Sequence, residues 1–192
     1  DRVSFDLIYA RQDQTLPAWE AELQQALDLE PDHLSLYQLT IEDGTAFGDR
    51  YAAGKLRGLP DEDNATDMFE VTQAICSDAG FHTYEVSNHA KPGQESRHNK
   101  VYWQYGDYAG IGPGAHGRHS QNGRRFATEA HMAPAMWLKS VQDRGTGEKQ
   151  RDMLEKPDEA SEFLLMGLRL TEGVSLARLD ALSSKDYTPN IS

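Results

Sequence analysis

Along residues 3–10 apolar and polar positions alternate, with Val3, Phe5, Leu7 and Tyr9 on one side of an extended chain and Ser4, Asp6, Ile8 and Ala10 on the other. This period of two predicts a strand. The period then changes. Trp19, Leu23 and Leu27 recur at i, i+4 and i+8, Thr15 stands where an N-cap is needed, and Pro17 falls in the first turn, so a helix follows. Residues 34–41 read as a second strand, closed by the turn Glu42-Asp43-Gly44. Asp61 opens a long helix whose inward stripe is Ala65, Met68, Phe69, Thr72, Ile75, Cys76 and Ala79, and Gly80 ends it as a left-handed cap. Residues 81–87 supply a third strand. Strands and helices in this order predict parallel βαβ units, which suit an open doubly wound sheet as well as a barrel.

Past Gly117 the pattern turns helical. Thr128 is placed to cap a segment carrying Met132, Met136, Trp137 and Val141, with Pro134 in its first turns. Gly145-Thr146-Gly147 and the charged run up to Lys156 read as a surface connection. Pro157 then begins a helix with Ala160, Phe163, Leu164, Gly167 and Leu168 inward. After Leu182 no usable periodicity remains, and the chain holds no internal repeat or low-complexity segment.

Composition narrows the classes of function. A chain of 192 residues buries a substantial core in one or two domains. Its formal net charge of -12 excludes a nucleic-acid surface, where lysine and arginine must neutralise phosphates. No stretch has the apolar length of an integral membrane segment, and no signal-peptide pattern opens the chain. A single cysteine, Cys76, leaves no internal disulfide and fits a reducing compartment, so the expected location is the cytoplasm.

The richest stretch is RHNKVYWQYGDYAGIGPGAHG, residues 97–117, which sets a histidine, an amide and the rings of Tyr102, Trp103 and Tyr105 before a glycine-rich turn. An imidazole with flat apolar neighbours suits a planar metal-bearing macrocycle, because its nitrogen ligates iron while rings cover the porphyrin faces. The bland alternative is an aromatic strand followed by a tight loop. If the stretch is helical, His98 and Tyr102 share one face and Asn99 and Trp103 the next; if it is extended, His98, Lys100 and Tyr102 share a face. Asp6, a carboxylate inside an apolar strand, needs either an ion-pair partner or a ligand. His33, His82, His89, His119 and His131 show no ligand spacing such as HxxxH, so no metal site built by the protein alone is expected.

These residues bring a family into view. His98-Asn99-Lys100-Val101-Tyr102-Trp103 matches an HNxxYW signature, and FDLIYA (5–10), YEVSNHAKPG (84–93), GDYAGIGPGAHG (106–117) and MGLRLTEGV (166–174) follow as further blocks in order. Together they resemble the oxygen-independent coproporphyrinogen III oxidase family of radical S-adenosylmethionine (SAM) proteins, and within it the haem-chaperone branch. The resemblance runs to about Leu182. It implies the last strands of an open (β/α) barrel over residues 1–120, and a mostly helical C-terminal domain, incomplete, over 121–192. Active sites of such folds lie at the C-terminal ends of strands, where Ala10, Thr40 and Asn88 fall.

The resemblance also implies cofactors and roles. Asp6, Thr40, Gly112, Gly114 and His116 match positions of the SAM pocket. His98, Asn99, Tyr102 and Trp103 match the haem motif, with His98 toward the haem iron and Arg97 and Lys100 available to propionates. The family's [4Fe-4S] cluster needs three cysteines in a CxxxCxxC loop. Cys76 stands alone on a helix face, so the chain is expected to be the C-terminal part of a longer protein, with the cluster ligands elsewhere and no activity by itself. The function implied is haem binding and delivery to acceptor haemoproteins. The rival is oxidative decarboxylation of coproporphyrinogen III to protoporphyrinogen IX, and a third reading is a barrel fragment serving as an interaction module.

Overall fold

The computed structural model describes residues 2–183, so residues 184–192, read above as lacking periodicity, lie outside the described residues. The chain divides into two compact units, Asp1–Ser96 and Arg97–Ser192.

In the first unit, β1 (Ser4–Tyr9) pairs in parallel with β2 (His33–Gln38), and the helices α1 (Leu16–Leu27) and α3 (Glu62–Asp78) pack on one side of the sheet. The alternation on β1 is as the sequence predicts: Phe5 and Leu7 are half-buried and Tyr9 buried, whereas Ser4, Asp6 and Ile8 are exposed. Thr15 caps α1 through its hydroxyl, and Trp19 and Leu23 are fully enclosed against Tyr9, Leu34 and Met68. Fully burying side chains of this size contributes about 1.5–3 kcal/mol each. Asp61 caps α3, and Gly80 takes a positive φ of 81° just past its end. The predicted stripe of α3 holds for Ala65, Met68 and Cys76, but Phe69 and Ala79 face solvent, because the stripe is narrower than the apolar pattern suggested. Between the two long helices lies the short α2 (Ala46–Ala52), capped by Thr45.

The third predicted strand, residues 81–87, is β3 (His82–Glu85) with its turn, and a further strand that the sequence pattern does not predict, β4 (Asn88–Ala90), follows it. β3 and β4 form a tight antiparallel hairpin, and β4 enters between β2 and β3, giving the order β1-β2-β4-β3. The turn is set by Glu85, whose Oε1 accepts from the Ser87 N–H at 2.9 Å and from the Asn88 amide. β3 thus runs in the direction that a βαβ reading requires, without being β2's neighbour.

The second unit starts with α4 (Arg97–Trp103), followed by a three-stranded antiparallel sheet of β5 (His116–Gln121), β6 (Arg124–Ala130) and β7 (Glu148–Met153). This corrects the helical reading of the chain after Gly117. Thr128 sits in β6 rather than at a helix cap; α5 (Pro134–Arg144) begins at Pro134 after Ala133; and the charged run before Lys156 is β7, not a connection. Helix α6 (Lys156–Gly167) buries Ala160, Phe163 and Gly167 as predicted, with Leu164 half-buried, but leaves Leu168 exposed just beyond its end. α7 (Leu176–Ser183) packs on α6 through Leu179.

Candidate functional site

Of the candidate residues of the first unit, Asp6 lies in the middle of β1 and Thr40 just past the C-terminal end of β2. Asp6 projects from the open face of β1, opposite Ser35 on β2, and its charge acts on His33. A carboxylate in this apolar strand is therefore accommodated by exposure, not by a buried ion pair. Thr40 is exposed two residues past β2, and with Ala10, Leu39, Ile41, Leu56 and Pro60 it lines a cavity of about 630 Å³. Beneath this face is a polar core that the sequence did not announce. His33 bonds Ser4 Oγ at 2.9 Å and Tyr84 OH at 2.8 Å, and His89 is buried with its Nε2 3.4 Å from Gln73 Oε1. Burial pushes both imidazoles below the ordinary histidine range, His89 to about 4. Both rings are thus held neutral, as structural groups.

In the second unit the motif stretch is helical, which settles the alternative left open above. His98 and Tyr102 share one face of α4: their rings meet edge-to-face at 4.9 Å, and Tyr102 leans on Tyr108 at 4.4 Å. The His98 side chain is exposed and makes no hydrogen bond among the described residues. That geometry suits an axial ligand, since one face of the imidazole is oriented by aromatic contact while a ring nitrogen stays available. Trp103, on the next face, is half-buried under the Arg169 guanidinium at 4.3 Å. Asn99 lies on that face too, while Lys100 is 3.9 Å from Glu172.

The glycine-rich turn separates two uses of glycine. Gly112 and Gly114 have φ of 112° and 71°, which other residues rarely adopt. Gly110 and Gly117 instead allow backbones to touch, for a Cβ on Gly110 would lie 2.5 Å from the His116 carbonyl oxygen. His116 opens β5 with its side chain exposed. Cys76 does not suit an iron–sulfur ligand: it is enclosed in the first unit's core, and burial pushes its thiol up to about 12, away from the thiolate a cluster requires. Among the described residues no group of three His, Cys, Asp or Glu side chains is placed to hold a metal ion.

Residues missed from the sequence surround the end of α4. Tyr105, buried and in a left-handed conformation (φ 56°), donates its hydroxyl to Glu162 at 2.9 Å, and Glu162 also receives Arg118 at 2.7 Å. Burial opposes the Glu162 charge, yet the bonds from Arg118 and Tyr105 hold its carboxyl below the ordinary range, while burial and Glu162 raise the Tyr105 phenol. Arg125 stacks on the Tyr105 ring at 3.8 Å and pairs with Asp107 at 2.8 Å. Nothing in the spacing of these arginines distinguished them from surface charge.

A parallel strand pair with helices on one face in the first unit, and an antiparallel sheet with helices in the second, make a mixed α/β fold. Its fold is that of coproporphyrinogen III oxidase (HemN) from Escherichia coli, described as a radical SAM enzyme, with a TM-score of 0.72 over 94% of this chain and 43% of that one at 18% identity. Residues 154–189 match the HemN C-terminal domain. The chain is 41% identical over 170 residues to the Heme chaperone HemW of Escherichia coli, covering 88% of this chain and 42% of that protein. It is 43% identical over 178 residues to the mitochondrial Radical S-adenosyl methionine domain-containing protein 1 of Mus musculus, covering 91% and 40%. The chain is similar to HemN-like radical SAM proteins, and it spans less than half the length of these relatives.

Proposed function

We propose that this chain is the haem-holding part of a radical SAM haem chaperone, in which His98 ligates haem iron and the haem is passed on to acceptor haemoproteins. The observation that carries the reading is the exposed His98 imidazole, oriented edge-on by Tyr102 on the helix that bears the whole HNxxYW motif. The name that the Escherichia coli relative bears, Heme chaperone HemW, supports the same assignment. Asn99, Tyr102 and Trp103 complete the haem motif. Asp6, Thr40, Gly112, Gly114 and His116 are the chain's contribution to SAM binding, Asp6 as the acceptor for ribose hydroxyls. The ligands of the [4Fe-4S] cluster are not among these residues, because the chain's one cysteine is packed in the core.

The test is a paired assay on the full-length protein. Ferric haem is titrated into wild type and His98→Ala while the Soret band is followed, and coproporphyrinogen III turnover is measured anaerobically in parallel. The chaperone reading expects haem binding that the substitution abolishes and no turnover by wild type. Robust protoporphyrinogen formation, with haem binding absent or indifferent to His98, would transfer the assignment to the oxidase.

A further inference from the structure

Helix α4 has seven residues, too few for an isolated helix to persist in water. Its exit is also costly. Tyr105 occupies the left-handed position where glycine is favoured, a conformation that a residue with a Cβ adopts only under strain. Something outside the helix therefore holds it, and the α6–α7 segment does so at several points. Arg178 of α7 donates Nη1 to the Gln104 carbonyl at 2.8 Å and Nη2 to the Tyr105 carbonyl at 3.1 Å, while its guanidinium lies 4.7 Å from the Phe163 ring. Arg125 donates to the next carbonyl, Gly106, at 2.8 Å. Three successive carbonyls at the end of the motif helix are thus met by guanidinium groups, where positive charge also favours the helix dipole. Gln104 reaches Glu172 at 2.8 Å, and the Tyr105 hydroxyl reaches Glu162.

We propose that Arg178 is a positioning residue for haem ligation: by fixing the Gln104 and Tyr105 carbonyls, the α6–α7 segment sets the orientation of the helix that presents His98. The inference rests on the assignment of haem to His98. It gives the segment matched by the HemN C-terminal domain a task at this site, that of clamping the ligand helix. A guanidinium spans two carbonyls with a rigid fork, which neither an aliphatic chain nor a single ammonium reproduces.

The experiment compares full-length wild type, Arg178→Met, Arg178→Lys and His98→Ala by ferric-haem titration, with circular dichroism confirming that each is folded. Arg178→Met keeps an unbranched side chain at this position and removes both donors together with the guanidinium over Phe163. The expected result is a folded protein that binds haem about 10- to 100-fold more weakly, the range typical of groups that orient a metal ligand. Its Soret band should move toward that of His98→Ala, with Arg178→Lys intermediate. A folded Arg178→Met with wild-type affinity and Soret band would overturn the clamp while leaving His98 as ligand. Unchanged haem binding by His98→Ala would instead remove the haem assignment and the clamp with it. Should Arg178→Met fail to fold, Arg178→Lys carries the test, and a wild-type titration by that variant counts against the proposal.

Discussion

The two buried histidines of the first unit tie stability to pH at single residues. His33 and His89 are held neutral by burial, with His89 brought down to about 4, whereas in the unfolded chain both titrate near the ordinary 6.5. A depressed folded value means that the unfolded state binds more protons in the window between. The contribution to stability is complete above pH 6.5 and is lost as pH falls toward about 4, at up to about 1.4 kcal/mol per pH unit for His89. Urea unfolding at about pH 7 and about pH 5 should therefore show a loss of about 2 kcal/mol from this residue. His89→Phe should remove most of that difference, leaving the smaller part that belongs to His33. An identical pH dependence in the variant would show that His89 titrates normally in the folded protein.

At the scale of elements, helix α3 shows how a polar residue hides in an apolar stripe. Thr72 lies among Met68 and Cys76 and was read as one of them, yet its hydroxyl accepts from the Trp19 indole at 2.8 Å and donates to the Met68 carbonyl at 2.6 Å. Thr72→Val keeps the shape and strands the buried indole N–H, so chemical denaturation should report a loss of about 1–3 kcal/mol. A change within about half a kcal/mol would mean that the bond contributes little. The first unit was legible because its strands and helices each bury one face: Phe5, Leu7 and Tyr9 mark β1, and Trp19 and Leu23 mark α1. The sheet of the second unit lacked that signal. β7, EKQRDM, has four charged residues in six and is almost wholly exposed, as an edge strand often is. β5 and β6 carry six charged residues or histidines between them in place of an apolar alternation. One cue to the hairpin is present in the sequence. Asn122-Gly123, both with positive φ, form the two-residue turn between β5 and β6, and Asn-Gly is the strongest short-range sign of a hairpin. The site divides likewise. The motif showed His98 and Tyr102, but the arginines that hold their helix come from residues 125 and 178, and no local pattern announces contacts so distant in sequence.

For the whole molecule, cluster chemistry and haem chemistry separate. Iron and sulfide supplied anaerobically to this 192-residue chain should give no stable cluster absorbance, because its one thiol is enclosed and pushed up to about 12. Stoichiometric cluster formation would contradict this. Haem binding makes the opposite demand, an exposed imidazole on an oriented helix, and that is what α4 presents. The most direct measurement is imidazole rescue in full-length His98→Ala. Ferric haem is added to the variant and its Soret band recorded without and with free imidazole, against wild type. The account predicts that the variant lacks the wild-type band and that added imidazole restores it, because the missing axial nitrogen is then supplied from solution. A variant that binds haem with the wild-type band before any imidazole is added would contradict ligation by His98.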